Sequence, residues 1–271
     1  MSMNNKIDFV IALVAMCLLV ANSHAQDTRE VRKAVPLKSD GEVSLDTYKG
    51  TISVTAWDKP EVSISATIEA DGGFDSGDDA QDVKDTEIRI DVSDNRVTIK
   101  SDYGNFKHHH RGFWSLFGEN SGSMPLVHYT IMMPRTAHLR IKDYKSRTTV
   151  RELKSSVELE TYKGEVDVTK LSGSIRIDTY KGNVRVGFAS MADKSRFETY
   201  KGTVTVALPK SSGFELDADL GSRADFNSDF EVELRTKGKR HRDSEFRGPI
   251  NGGGPSLMIK SEKGSIRLRQ L

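Results

Sequence analysis

The sequence predicts an all-β protein, a single-stranded parallel β-solenoid with rungs of about 18–20 residues. Three observations support this class. The tetrapeptide Thr-Tyr-Lys-Gly recurs four times, at 47–50, 161–164, 179–182 and 199–202. Apolar and polar residues alternate on both sides of each copy. The last copies are evenly spaced, with 18 residues from Gly164 to Gly182 and 20 from Gly182 to Gly202. Crossover rules favour a right-handed coil.

Each repeat unit is expected to contribute two short strands joined by a bend at Lys-Gly. In residues 157–168, alternate positions such as Val157, Leu159 and Val166 are apolar. A period of two indicates strands, and the glycine in every unit argues against a helical solenoid. One such unit cannot bury its apolar row alone, so neighbouring units must stack to form a core.

Stacked strands lie about 4.8 Å apart, so equivalent residues of successive units should form ladders. Parity predicts an apolar core ladder, an inner threonine ladder and an outer tyrosine ladder. In that order the three ladders are Leu159–Ile177–Phe197, Thr161–Thr179–Thr199 and Tyr162–Tyr180–Tyr200. Glu158 should lie beside Arg176, and Asp167 beside Arg185, as modestly stabilising cross-strand pairs.

The N-terminal residues 1–25 are predicted to be a signal peptide rather than part of the fold. Lys6 precedes an apolar stretch at 9–21, and Ser23-His24-Ala25 offers small residues for cleavage. The stretch is too short to span a bilayer comfortably, although an uncleaved anchor helix is the alternative. We therefore expect an exported protein that is periplasmic, outer-membrane associated or secreted, with no transmembrane span after cleavage.

The only cysteine, Cys17, lies inside this apolar stretch, so the mature chain would contain no disulfide. The full sequence has 40 basic and 39 acidic residues among its 271. That balance gives no bulk positive field, so nucleic acid is not an expected partner.

The mature segment 26–271 is predicted to be one β-solenoid domain with three loop insertions. Its first half carries strand-like alternation at 61–68, 87–92, 96–101 and 126–133. The insertion at about 71–85 is acidic, the one at about 102–125 contains His and aromatic residues, and the one at about 235–255 is basic. Loops this long are usually functional or disordered.

The chain resembles the bacterial putative-adhesin family of extracytoplasmic β-solenoid proteins. The resemblance is carried by the signal segment and by Gly41-x-Val-x-Leu45 leading to Gly50-x-Ile-x-Val54-x-x-Trp57. Tyr129-Thr-Ile-Met-Met-Pro134 and the serial Gly-x-Val-x-Val pattern add to it. The resemblance covers most of 36–271 and implies an exported β-solenoid with no defined catalytic residues. The repeated Tyr-Lys pair and the long 102–125 loop depart from it.

The Tyr-Lys pairs are the main candidate binding surface. Flat rings beside cations could stack on sugar rings and attract an anionic glycan. The alternative is structural, because a tyrosine row that packs on itself shields the corner while the lysines keep the surface soluble. The predicted ligand-binding residues are Tyr48, Tyr162, Tyr180, Tyr200, Lys163, Lys181 and Lys201.

The 102–125 loop is a candidate partner contact through Phe113, Trp114 and Phe117, since exposed apolar clusters usually mark contacts. His108-His109-His110 lies beside them, but no further ligand at metal-binding spacing accompanies it. Glu160, Asp178 and Glu198 would stack as like charges; one carboxylate per rung is too few for calcium. We therefore predict no metal site and no cofactor.

No catalytic constellation is evident. Gly-x-Ser-x-Gly is absent, and Arg140-Ile-Lys142 lacks the elements that accompany it in polysaccharide-degrading β-helices. The predicted function is a non-catalytic exported solenoid of putative-adhesin type that binds an envelope or surface glycan or protein. The alternatives are a polysaccharide-active β-helix enzyme and a structural protein that assembles by stacking through solenoid ends.

Overall fold

The computed structural model describes residues 28–72, 79–104, 124–232 and 244–271. The predicted signal peptide lies outside these residues. So do His108–His110 and the three aromatic residues proposed as a partner contact, Phe113, Trp114 and Phe117.

Alternating apolar residues give rise to 17 strands within the described residues, all hydrogen-bonded into one sheet. The first nine are β1 (Thr28–Pro36), β2 (Glu42–Asp46), β3 (Lys49–Trp57), β4 (Glu61–Glu69), β5 (Glu87–Ser93), β6 (Arg96–Asp102), β7 (Leu126–Pro134), β8 (His138–Asp143) and β9 (Lys145–Arg151). The others are β10 (Val157–Thr161), β11 (Glu165–Gly173), β12 (Ile175–Lys181), β13 (Val184–Met191), β14 (Ser195–Leu208), β15 (Phe214–Ser228), β16 (Ser244–Ile250) and β17 (Ser256–Gln270). The all-β class is therefore confirmed.

One short helix, α1 (Asp79–Asp85), is present in the described residues. It occupies the second part of the insertion at 71–85, which was expected to be a loop. Thr86 holds its C-terminal end, because the Thr86 amide and hydroxyl both donate to the Asp82 carbonyl, at 3.0 and 2.8 Å.

The central repeats stack in parallel with the register that their sequences predict. Leu159 pairs with Ile177, and Ile177 pairs with Phe197. All three are almost completely buried. Outside the core, Glu158 lies opposite Arg176, and Asp167 opposite Arg185, as expected.

The stacked units form two rows of strands that meet at the Tyr-Lys-Gly corner. The first-strand row runs β6, β2, β8, β10, β12, and the second-strand row runs β7, β3, β9, β11, β13. β14, β17 and β15 then continue both rows, because each is long enough to pass through the corner. The apolar core lies between the two rows.

The order of units in the stack differs from their order in the chain. The β2–β3 unit lies between the β6–β7 and β8–β9 units, although it precedes both in sequence. At the other end, β17 lies between β14 and β15, pairing with both along most of its length.

The sheet is mixed, so a purely parallel solenoid does not describe the whole molecule. Among the described strands, four pairings are antiparallel: β1–β4, β4–β7, β5–β6 and β15–β16. Chain connectivity explains one of them, since only Asp94 and Asn95 separate β5 from β6. A two-residue connection forms a hairpin and cannot join parallel strands. The right-handed coil stays a prediction.

Candidate functional site

The corner of each tetrapeptide repeat contains a buried threonine, and in the unit at 157–168 this threonine holds the following bend. The Gly164 amide donates to Thr161 Oγ1 at 2.9 Å, and the Thr161 side chain is buried. Residues 139–146, Leu-Arg-Ile-Lys-Asp-Tyr-Lys-Ser, are a degenerate copy of the repeat. In this degenerate copy Asp143 takes the place of threonine, and its Oδ2 accepts from the Ser146 amide at 2.7 Å. Burial raises the pKa of the Asp143 carboxyl despite these hydrogen bonds.

The glycine that ends the tetrapeptide has a steric role in every copy and, at Gly50, Gly182 and Gly202, a conformational role as well. Gly182 and Gly202 have φ values of 150° and 141°, in the region that disfavours other residues. A Cβ on Gly202 would lie 1.9 Å from the carbonyl oxygen of Gly182 in the neighbouring rung, and Gly182 meets Gly164 in the same way. Close approach of successive corners therefore requires glycine.

The tyrosines that precede these Lys-Gly pairs form one continuous stack, the tyrosine ladder. Its members, in spatial order, are Tyr48, Tyr144, Tyr162, Tyr180 and Tyr200. Successive ring centroids lie 4.7, 5.0, 4.8 and 4.9 Å apart, with interplanar angles of 2°, 13°, 4° and 2°. The ladder thus brings together the four tyrosines proposed from the sequence and adds Tyr144.

The ring faces within the ladder are covered by their neighbours. At the Tyr200 end, Lys263 Nζ lies 4.6 Å from the ring centroid, and at the other end Tyr103 packs edge-on against Tyr48 at 6.3 Å. Stacking of a sugar ring needs a free aromatic face. The ladder instead presents ring edges and hydroxyl groups to solvent, and Tyr162 and Tyr180 are 36% and 38% exposed.

The repeat lysines differ in how exposed their side chains are. Lys163 and Lys181 are exposed, and their Nζ atoms lie 5.4 and 5.3 Å from the centroids of Tyr162 and Tyr180. Lys201 is exposed as well. Lys49 is buried instead and forms an ion pair of 2.6 Å with Asp71 of the acidic insertion. Burial lowers the pKa of the Lys49 ammonium.

The tyrosines at the two ends of the ladder have different surroundings. In the last unit Glu262 replaces tyrosine, and Lys263 Nζ donates to the Tyr200 hydroxyl at 2.6 Å. This hydrogen bond and the nearby positive charge lower the pKa of Tyr200. Burial has the opposite effect at the other end, where it raises the pKa of Tyr48.

A groove with a volume of about 780 Å³ runs beside the tyrosine ladder; we call it the ladder groove. The ladder forms one wall. The other wall is formed by the residues two positions earlier on each strand, namely Asp46, Lys142, Glu160, Asp178, Glu198 and Lys260. The parity that sends tyrosine outward sends these charged side chains outward too.

Basic side chains offset the stacked carboxylates on this second wall. Lys142 Nζ lies 3.5 Å from Glu160, and Arg176 Nε lies 2.9 Å from Asp178. Arg196 forms the equivalent ion pair with Glu198. Within the ranges that the structure describes, no three His, Cys, Asp or Glu side chains cluster closely enough to hold a metal ion.

The structure also assembles a hydrogen-bonded chain that no sequence pattern predicts. Thr51 Oγ1 and His128 Nδ1 share a hydrogen bond of 2.8 Å, and His128 Nε2 and Glu69 Oε1 share one of 2.9 Å. The three residues belong to β3, β7 and β4, which are adjacent in space but far apart in the chain. Only the strand pairing could have revealed them.

Comparison with known proteins identifies the family. The model of the family described as Toastrack DUF4097 matches residues 47–269. The chain belongs to this family. The family resemblance stated from the sequence is thereby confirmed, and the matched residues include the whole tyrosine ladder. No curated protein matches the chain.

Solved structures similar to this Toastrack chain share little sequence with it. A putative cell adhesion protein from Clostridium sporogenes is 15% identical, covers 90% of this chain and 100% of its own, and has a TM-score of 0.46. A putative adhesin from Bacteroides fragilis is 12% identical, covers 90% and 97%, and has a TM-score of 0.34. A putative adhesin from Parabacteroides merdae is 8% identical, covers 89% and 96%, and has a TM-score of 0.25.

Among the residues that the structure describes, no helix has the length and apolar character needed to cross a bilayer, and α1 has only 7 residues.

Proposed function

We propose that this protein is a non-catalytic, exported binding protein of the adhesin type that contacts an envelope or surface component, a glycan or a protein. The stacked repeats would form a β-solenoid segment within the mixed sheet and carry the contact surface. Export is supported by the signal-like pattern of residues 1–25, and the destination would be the periplasm, the outer membrane or the exterior.

The observation that carries this proposal is the tyrosine ladder beside an open groove. Tyrosine combines a large apolar body with a polar tip, and such residues are enriched in binding surfaces. The ladder repeats that chemistry at regular intervals over five rungs. A regular row of this kind suits an extended partner with a repeating structure. Because the ring faces are covered, the partner would lie along ring edges and hydroxyls.

Co-sedimentation tests the proposal. The purified protein is mixed with isolated cell-wall glycan or with outer-membrane vesicles, beside the triple variant Tyr162→Ala, Tyr180→Ala, Tyr200→Ala. We expect the wild-type protein to sediment with one of these materials and the triple variant to stay in solution. Circular dichroism verifies that the variant has kept its strands.

A matched control carries three changes in the second-strand row of the same units: Glu165→Ala, Arg185→Ala and Thr205→Ala. These residues line a different groove, so binding should be unchanged. Equal sedimentation of the folded tyrosine variant and the wild-type protein would assign the ladder a purely structural role.

The non-catalytic part of the proposal is tested at Thr51, because Thr51, His128 and Glu69 are linked as a nucleophile, a base and the carboxylate that orients the base would be. Hydrogen bonding alone does not make such a group reactive. We expect the wild-type protein and Thr51→Ala to hydrolyse p-nitrophenyl acetate at the same background rate. A loss of saturable turnover in Thr51→Ala would revive the enzyme alternative.

A further inference from the structure

We propose that the ladder groove binds flat, elongated, cationic organic molecules that lie parallel to the stack axis. The inference rests on the proposed function in using the ladder as a binding surface. It goes further by naming the shape and charge of a ligand that this surface accepts.

The shape of the groove follows from its two walls. Both walls are ladders that run along the stacking direction, so the space between them is a straight slot. Five tyrosines at intervals of 4.7–5.0 Å make the slot about 20 Å long. Its walls are two residues apart on each strand, which corresponds to about 7 Å. A volume of about 780 Å³ is within the range of small-molecule sites.

The ring geometry selects a flat ligand. Since each tyrosine face is covered by the next ring, the groove is bordered by a regular row of ring edges. This row forms a flat strip of aromatic carbon against which the face of a flat molecule can pack. A flat conjugated molecule lying lengthwise would make this contact with several tyrosines at once.

The charges that line the groove select a cation. Six of its lining residues are acidic and two are basic; the acidic ones are Asp46, Asp143, Glu160, Asp178, Glu198 and Glu262, and the basic ones are Lys142 and Lys260. Arg176 and Arg196 pair with two of these carboxylates but do not line the groove, so the lining itself stays net acidic.

The repeat lysines do not reverse this selection. Lys163 and Lys181 follow the tyrosines in sequence and do not line the groove. An anionic ligand would find its countercharges there, on the far side of the ladder, while the groove itself would repel it.

Thioflavin T is the probe, because it is a flat, elongated cation whose fluorescence rises when its rings are immobilised. Purified protein is first cleared of aggregates by ultracentrifugation and its size is verified by light scattering. We expect a saturable rise in fluorescence with about one probe per protein, weakened by added salt. A signal that leaves with the pellet, or no signal from the folded protein, would overturn the inference.

Two variants and a control assign the signal to the groove. Glu160→Gln, Asp178→Asn, Glu198→Gln should raise the dissociation constant about tenfold by removing three negative charges. Tyr162→Leu, Tyr180→Leu should abolish the fluorescence rise. Glu165→Gln, Asp167→Asn, in the second-strand row, should bind as the wild type does. Equal affinity of the acidic-wall variant and this control would contradict the inference.

An anionic probe separates charge selection from simple aromatic binding. Congo red is also flat and elongated but carries negative charge, so its binding should be at least tenfold weaker. Tighter or equal binding of Congo red would refute the cationic class. Failure of both dyes together with successful co-sedimentation would reject the ligand class while leaving the proposed function intact.

Discussion

Asp143 is an acidic residue at a position where four other repeats carry threonine. Asp143 and Thr161 perform the same local task, since each accepts a hydrogen bond from the backbone amide three residues later. The buried hydroxyls of Thr179 and Thr199, in contrast, have no hydrogen-bond partner among the described residues. Only the aspartate brings a charge into a buried corner. This single substitution therefore places an electrostatic cost in a ladder whose other threonine and serine members are uncharged.

Replacing Asp143 with threonine should stabilise the protein at neutral pH. Because burial raises the pKa of the Asp143 carboxyl above its ordinary value of 3.8, the ionised form disfavours folding. Below pH 3.8 the carboxyl is protonated in both states and the cost is absent; the cost appears as the pH rises through the folded-state pKa. We expect Asp143→Thr to raise the free energy of unfolding by about 1 kcal/mol at pH 7. Urea titrations of the wild-type protein and Asp143→Thr at pH 7 measure this difference in the free energy of unfolding.

The pH dependence provides the internal control for Asp143→Thr. The gain should shrink when the same titrations are repeated near pH 4. A constant gain at both pH values, or a loss of stability at pH 7, would contradict the electrostatic explanation.

At Gly202 the cost of substitution is steric and conformational. Gly202→Ala would place a Cβ 1.9 Å from the Gly182 carbonyl oxygen at a φ of 141°. Strain and overpacking each cost about 1–3 kcal/mol, so thermal melts should show a large drop in stability. Gly187→Ala is the matched control, since its Cβ would meet nothing closer than 3.8 Å. Similar melting temperatures for both variants would refute the close-approach argument.

At the scale of elements, most features of the tyrosine ladder could be predicted from the repeat pattern. Parity along 157–168 was enough to place Thr161 inward and Tyr162 outward, and the stacked register follows from the apolar pattern. The covering of ring faces was also deducible, because strands spaced about 4.8 Å apart bring equivalent rings into stacking contact. Tyr144 was recognisable from its degenerate repeat.

Other elements depended on information that short patterns do not contain. The Thr51–His128–Glu69 chain depends on the pairing of β7 with both β3 and β4, which are far from it in sequence. The burial of Lys49 depends on Asp71, which lies in an insertion with no repeat pattern. The repeat motif alone gives Lys49 the same environment as Lys163, yet the structure gives the two opposite exposures.

At the scale of the whole molecule, the order of units was not predictable. Repeats with the same alternation can pair with any other repeat, so local pattern does not specify which unit is the neighbour. β17 has the same apolar alternation as β12 and β14, but it lies between β14 and β15. Its buried residues, such as Ile259 and Ile266, are part of the central core rather than of a terminal cap.

Deletion of 256–271 should therefore disrupt more than one rung. The deletion uncovers β14 and β15 together and removes buried apolar residues, so we expect loss of cooperative thermal unfolding and rapid proteolysis. Deletion of 28–36 is the comparison, because in the described sheet β1 pairs only with β4 and is largely exposed. That variant should still melt cooperatively at a lower temperature. Cooperative melting of both variants would show that β17 is dispensable.

The position of β17 between β14 and β15 also limits the order in which these strands can pair during synthesis. During synthesis β14 can pair with β12 and β13 as it emerges, but neither β14 nor β15 can acquire the neighbour they share, β17, until that strand has been made. Pairings between distant segments form slowly, and open strand edges remain available to proteases and to other chains meanwhile. Strands β14 and β15, within residues 195–228, can therefore complete their pairing at this end of the stack only after residues 256–270 have been synthesised.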